Sequence, residues 1–186
     1  MAILQPHYRF TRAEYHRMVE AGILHEDSPV ELIEGEIIEM SPIGRRHRSC
    51  VDRLNDLFVP LVREAAIVRI QSSLVLGERS EPEPDVVLLR RRADFYGQAD
   101  ETPADVLLVV EVADSSEGYD RLTKAPLYAR YGISEYWIVN LNRDQVVVYR
   151  DPAPHGYATT RVARRGESIS PLAFPNLAIA VDEVLG

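Results

Sequence analysis

An α/β fold built on a mixed β-sheet flanked by helices is what this 186-residue sequence predicts. Three observations lead there. Val106 to Val112 is so continuously apolar that it reads as a strand buried on both faces. A helical stretch from about Glu117 to Tyr131 follows it, so strand and helix alternate. Glu135 to Asn140 and Gln145 to Arg150, rich in Val, Ile, Tyr and Trp, then read as a hairpin across Asn142-Arg143.

Length and composition bound the rest. A single domain over residues 1–186 is expected, large enough to bury its core without disulfides or a structural metal. Apolar residues make up 46% and charged residues 27%, ordinary values for a globular protein. The one cysteine, Cys50, excludes an intramolecular disulfide, and neither a signal-peptide pattern nor an 18-residue apolar run is present, so a reducing cytoplasm is expected and a membrane partner is not. With 21 Lys plus Arg against 29 Asp plus Glu, the net charge of −8 disfavours broad adhesion to nucleic acid. A nucleic-acid substrate would need a local basic patch.

In chain order, Thr11 as N-cap and Glu14 as its capping-box partner start a helix from Arg12 to about Ala21, with Gly22 as the stop. Tyr15, Met18 and Val19 form its apolar stripe and are expected in the core. Val30 to Glu34 and Glu36 to Met40 read as a hairpin around Gly35. After the breakers Ser41, Pro42 and Gly44, a second helix runs from about His47 to Arg63, with Cys50, Leu54, Leu57 and Leu61 on one face and Pro60 able to kink it. Arg45, Arg46, His47 and Arg48 at its start form a basic run beside a helix N-terminus, a candidate phosphate clamp and nucleic-acid contact. Ala66 to Gln71 and Ser73 to Leu76 read as extended segments. A polar connection with Arg90, Arg91, Arg92, Phe95 and Tyr96 follows the next strand and reads as a surface crossover. A strand around Tyr157 to Val162 and an apolar Leu177 to Val181 segment end the chain.

The stretch from Pro84 to Tyr128 carries the chemistry. Pro84 biases Glu83 toward an extended conformation, so Asp85 enters the apolar run Val86 to Leu89 as a strand. Glu111 sits near the end of the strand expected to be buried, where an unpaired carboxylate is costly; it must meet a metal, a basic partner or a proton. On the following helix Arg121, Lys124, Tyr128 and Tyr131 recur at intervals of three and four and so share a face. Two carboxylates on neighbouring strands with a lysine beside them suit hydrolysis of a phosphodiester with Mg²⁺ or Mn²⁺. Asp85 and Glu111 would be the oxygen ligands, and Lys124 would orient water or hold a phosphate oxygen.

Pro84-Asp85, Glu111-Val112-Ala113, the Lys124-x-x-x-Tyr128 helix and Gly132-Ile133-x-Glu135-Tyr136-Trp137 together resemble the PD-(D/E)XK nuclease superfamily, and within it the Uma-type putative restriction endonuclease family. Glu31 to Glu36 and Met40-Ser41-Pro42 match that family's early hairpin, so the resemblance covers most of the chain. It implies a restriction-endonuclease-like fold, Asp85 and Glu111 as metal ligands, Lys124 as the catalytic lysine and Glu31 as an additional acidic catalytic residue. The superfamily's usual lysine stands two residues after the glutamate, where this sequence has Ala113; Lys124 would be that lysine relocated to the next helix. The implied partner is nucleic acid, with DNA the expected form, and a homodimer would serve cleavage of both strands. The alternative is a non-catalytic binding or assembly module that retains the fold, which the acidic balance and Ala113 favour.

Overall fold

The structure, a computed structural model, describes residues 7–25 and 27–186. The chain forms two compact units, Met1–Pro42 with Ser73–Glu83, and Ile43–Ser72 with Pro84–Gly186.

In the first unit, helix α1 (Arg12–Glu20) opens on the expected capping box: the Thr11 hydroxyl accepts the Glu14 N–H and the Glu14 carboxylate accepts the Thr11 N–H. Its apolar stripe departs from expectation, because Tyr15, Met18 and Val19 are only half-buried and no α1 residue is fully buried. Strands β1 (Val30–Ile33) and β2 (Glu36–Glu39) pair antiparallel across Glu34-Gly35. Gly35 is required there. Its φ is +81°, and an added Cβ would lie 2.9 Å from the Arg9 Cα. Residues 73–76, expected as a strand, form none; Leu74 and Leu76 are buried, and the 77–82 turn reaches β1 by an isolated bridge from Glu81 to Leu32.

The second unit holds the sheet. Helix α2 (Arg45–Val62) starts two residues before the expected position, so Arg45, Arg46, His47 and Arg48 occupy its first turns. Its buried face is Cys50, Val51, Leu54, Phe58 and Val62 rather than the row through Leu57 and Leu61, and Leu61 is exposed. Steps of four from Cys50 follow one ridge to Val62 and put the largest apolar side chain, Phe58, against Trp137. Pro60 lies inside α2 without ending it.

Six strands follow in sheet order: β3 (Ala66–Ile70), β4 (Val86–Arg90), β5 (Val106–Ala113), β6 (Glu135–Asn140), β7 (Gln145–Ala153) and β8 (Gly156–Arg164). Only β5 and β6 pair parallel, which makes the sheet mixed as expected. Their crossover is α3 (Glu117–Tyr119), a π-helical turn (Asp120–Lys124) and α4 (Ala125–Arg130). A short pair, β9 (Ser168–Ile169) and β10 (Ile179–Ala180), leads into helix α5 (Val181–Leu185), where only an unassigned apolar segment was expected.

Alternation along the strands separates two faces. Leu108, Val110, Val112, Trp137 and Val139 join the core with α2 and α5. Glu111 and Tyr136 face the crossover instead, where Tyr128 packs 5.0 Å from Tyr136 and bonds to Glu111. Each large apolar side chain removed from water contributes about 1.5–3 kcal/mol.

Glu135 is a buried charge with a purely structural setting. Fully buried, it accepts from Trp137 Nε1 at 2.9 Å, Arg150 Nε at 2.8 Å and the Leu172 N–H. Glu135→Gln removes the charge that these donors share, and urea unfolding should show a loss of about 2 kcal/mol.

Candidate active site

Asp85 immediately precedes β4, and Glu111 lies two residues from the end of β5. The two strands run antiparallel with Val86 opposite Val110, so one step further Asp85 stands across from Glu111. Both carboxylates are largely buried, at 8% and 4% exposure. Buried acids at a sheet end survive only if donors surround them, and they do.

Asp85 is fixed chiefly by backbone. Its Oδ2 accepts the Val112 N–H at 2.8 Å and lies 3.0 Å from His47 Nε2, while Gln71 Nε2 approaches Oδ1 at 3.4 Å. Gln71 adopts φ +41°, a left-handed bend, and its own N–H donates to the Asp85 carbonyl at 3.0 Å. His47 therefore reaches Asp85 from the first turn of α2. Burial alone would lower its pKa; the hydrogen bond to Asp85 and the charges of Asp85, Asp114 and Asp120 outweigh that and raise it above the ordinary histidine value. His47 Nδ1 is buried and has no hydrogen-bond partner among the described residues.

Glu111 is held from the other face. Its Oε1 accepts from Lys124 Nζ at 2.9 Å and from the Tyr128 hydroxyl at 3.0 Å. The expectation that this charge meets a basic partner is met by a lysine that is itself 5% exposed. The π turn explains the aim. Five residues in a wider turn shift the phase of the helix, and Pro126, unable to donate to the Leu122 carbonyl, sits just beyond it. The shared face expected for Arg121, Lys124, Tyr128 and Tyr131 is consequently split. Lys124 and Tyr128 point to Glu111, whereas Arg121 is exposed and pairs with Glu117 at 3.1 Å.

Asp85, Glu111, Lys124 and His47 are thus brought together in the second unit. Glu31 belongs to the first unit, where it is buried on β1 and its Oε2 accepts the Glu83 N–H at 3.1 Å. Of the basic run, Arg46 ties the start of α2 to neighbouring loops through Asp114 Oδ1, Asn142 Oδ1 and the Leu141 carbonyl. Arg45 and Arg48 are exposed; among the described residues their side chains make no hydrogen bond or ion pair, while the Arg48 N–H donates to the Gly44 carbonyl at 3.1 Å. The loop after Arg90 lies at the far end of β4 from Asp85; there Arg91 covers the exposed Phe95 ring at 4.5 Å. The contacts that escaped sequence reasoning are those of Tyr128 with Glu111, His47 with Asp85 and Asp114 with Arg46. Tyr128 had a signal, its i+4 spacing from Lys124, and Asp114 had only its place next to Ala113.

The donors present fit a divalent cation of the Mg²⁺ type. Among the described residues no group of three or more His, Cys, Asp and Glu side chains is placed to hold a metal. Mg²⁺ commonly needs only one or two carboxylates, completing its shell with water and substrate phosphate, and Asp85 and Glu111 are hard oxygen donors across one strand pair.

A search among curated proteins finds no match. Among solved structures, a putative nuclease belonging to DUF820 from Anabaena variabilis superposes with a TM-score of 0.70 at 16% identity, covering 95% of this chain and 97% of that one. At that identity the likeness establishes the fold alone, a mixed sheet of six strands flanked by helices. No helix among the described residues is long and apolar enough to cross a membrane. The Uma2 family, described as putative restriction endonuclease, matches residues 12–182, the whole stretch from α1 into α5. On that match the chain belongs to the Uma2 putative restriction endonuclease family.

Proposed function

We propose that this protein is a metal-dependent nuclease that hydrolyses phosphodiester bonds of DNA. The observation that carries the reading is the buried contact of Lys124 with Glu111 beside Asp85, at 2.9 Å, in a chain of a nuclease family. Ala113 stands where the usual lysine would, and the ammonium arrives instead from the π turn. A purely structural ion pair would not need a helix widened at that point; π turns recur at functional sites.

Asp85 and Glu111 would hold Mg²⁺ or Mn²⁺. When bound, such a cation neutralises phosphate charge and acidifies water. Val112 and His47 hold the Asp85 carboxylate in place. Lys124 orients the attacking water or holds a non-bridging phosphate oxygen as negative charge builds. Glu31 keeps the additional acidic role that the family resemblance implies. The unit at work would be one domain, paired as a homodimer so that each strand of a duplex meets a site, and its single thiol, buried at Cys50, suits a reducing cytoplasm.

The start of α2 is the candidate phosphate contact, because its first N–H groups and the side chains of Arg45, Arg46 and Arg48 lie within a turn of His47. Arg46 is left intact in the test, since its loss would release Asp114 and the 141–142 turn. Arg45→Glu with Arg48→Glu should weaken binding to every DNA tested by at least about tenfold at low salt, with little discrimination between sequences, as measured by fluorescence anisotropy. Unchanged affinity would exclude this surface as the entrance. The function itself is tested by incubating the protein with duplex, single-stranded and branched DNA and with RNA, in Mg²⁺ and in Mn²⁺. Cleavage of a DNA substrate supports the reading. Binding without cleavage under every metal condition favours the assembly module, and cleavage confined to RNA corrects the substrate.

A further inference from the structure

Lys124 and Tyr128 bond to the same oxygen of Glu111, and the proposed reaction requires only one of them to leave it. We propose that Tyr128 is a positioning residue, holding the Glu111 carboxylate in place when the Lys124 ammonium turns toward water or phosphate. This rests on the nuclease reading above.

The geometry assigns the roles unambiguously. An ionised carboxylate only accepts, so the phenol must donate its proton to Glu111 Oε1 across 3.0 Å. Tyr128 is fully buried and braced against Tyr136, whose ring centroid is 5.0 Å away, so its hydroxyl cannot follow a substrate. Lys124 differs. It ends four rotatable bonds from its backbone, and its ammonium has three donors with which to reach a second acceptor. One donor is therefore rigid and the other adjustable. The Tyr128 bond to Oε1 stays in place whether or not the ammonium moves. The rigid donor also comes from the same helix, one turn on, so the π turn that delivers Lys124 delivers both.

Tyr136 supplies a matched control. Its side chain is equally buried, and its hydroxyl donates to the Asp120 carbonyl at 3.4 Å rather than to Glu111. Tyr128→Phe and Tyr136→Phe each remove one oxygen and should cost similar thermal stability. Crystal structures and steady-state cleavage of both variants test the proposal. In Tyr128→Phe the Glu111 carboxylate is expected to rotate or occupy two conformers, with kcat down about 10-fold to 100-fold and KM for DNA unchanged. Tyr136→Phe should leave the carboxylate and kcat as in the wild type. Tyr128→His, which keeps a ring N–H, gives a second variant and should retain more activity than Tyr128→Phe. A Tyr128→Phe crystal with Glu111 in one conformer and still bonded to Lys124, or a Tyr128→Phe kcat equal to wild type, overturns the positioning role. Absence of cleavage by the wild type would instead sink the nuclease reading, and the crystals would still decide whether Tyr128 fixes Glu111.

Discussion

In Asp85→Asn, Mn²⁺ binding should disappear from calorimetry and cleavage should fall by at least about 10³, because several kcal/mol of charge stabilisation leaves with the carboxylate. The substitution isolates charge from architecture. Asparagine keeps an oxygen that can accept the Val112 N–H, the 2.8 Å bond that anchors the side chain to β5. The β4–β5 pairing ends at Val86 and Val110 and does not depend on the carboxylate. The melting temperature should therefore change little while the metal site is lost. A large drop in melting temperature with Mn²⁺ binding intact would mean that Asp85 is a structural acid.

Lys124→Ala should show the reverse pattern. Mn²⁺ affinity is expected to stay the same or to improve slightly, since a positive charge close to Glu111 is gone. Cleavage should drop by about 10²-fold to 10³-fold, the usual loss when one preorganised group that stabilises developing charge is deleted. The metal-free protein should also lose about 3–5 kcal/mol, because a carboxylate at 4% exposure has lost the ammonium 2.9 Å away. Mn²⁺ at a hundred times its dissociation constant would return about 2.7 kcal/mol of that, without returning activity. Lys124→Arg should not rescue cleavage, as a planar fork cannot replace a compact ammonium in that space. Wild-type cleavage by Lys124→Ala, in a preparation still dependent on Asp85, would refute the lysine's role. Arg121 could not then inherit it from the same helical face, because it points to solvent and Glu117.

Much of this site was legible because burying a charge is costly. Asp85 after its proline and Glu111 inside an apolar strand are anomalies that need partners, and the structure supplies them. Lys124 was visible as a lysine at the right interval, but its aim was not. A π turn carries no periodic signature, and a proline two residues after the lysine is compatible with either a kink or a fresh start. His47 was read as part of a basic clamp, and its bond to Asp85 depends on where α2 begins, a boundary set by packing and not by propensity. The buried row of α2 was misread for a similar reason: Leu57 and Phe58 are both apolar, and only the position of Trp137 decides between them. Helix α5 is five residues long, too short to display a helical period, so its apolar run could equally have been a strand. Glu135 stood in the quoted motif, and the expected hairpin across Asn142-Arg143 already sets it opposite Arg150, its partner in the structure.

If Asp85 and Glu111 hold the cation for phosphodiester cleavage, the initial rate of DNA cleavage must depend on Mn²⁺ concentration through both carboxylates. Wild type and Glu111→Gln are to be compared side by side, with an EDTA control. The wild-type rate should rise from zero in EDTA to a plateau, and Glu111→Gln should stay near the EDTA baseline at every concentration. Cleavage that persists in EDTA, or a Glu111→Gln curve that overlies the wild type, would contradict that role of the carboxylates.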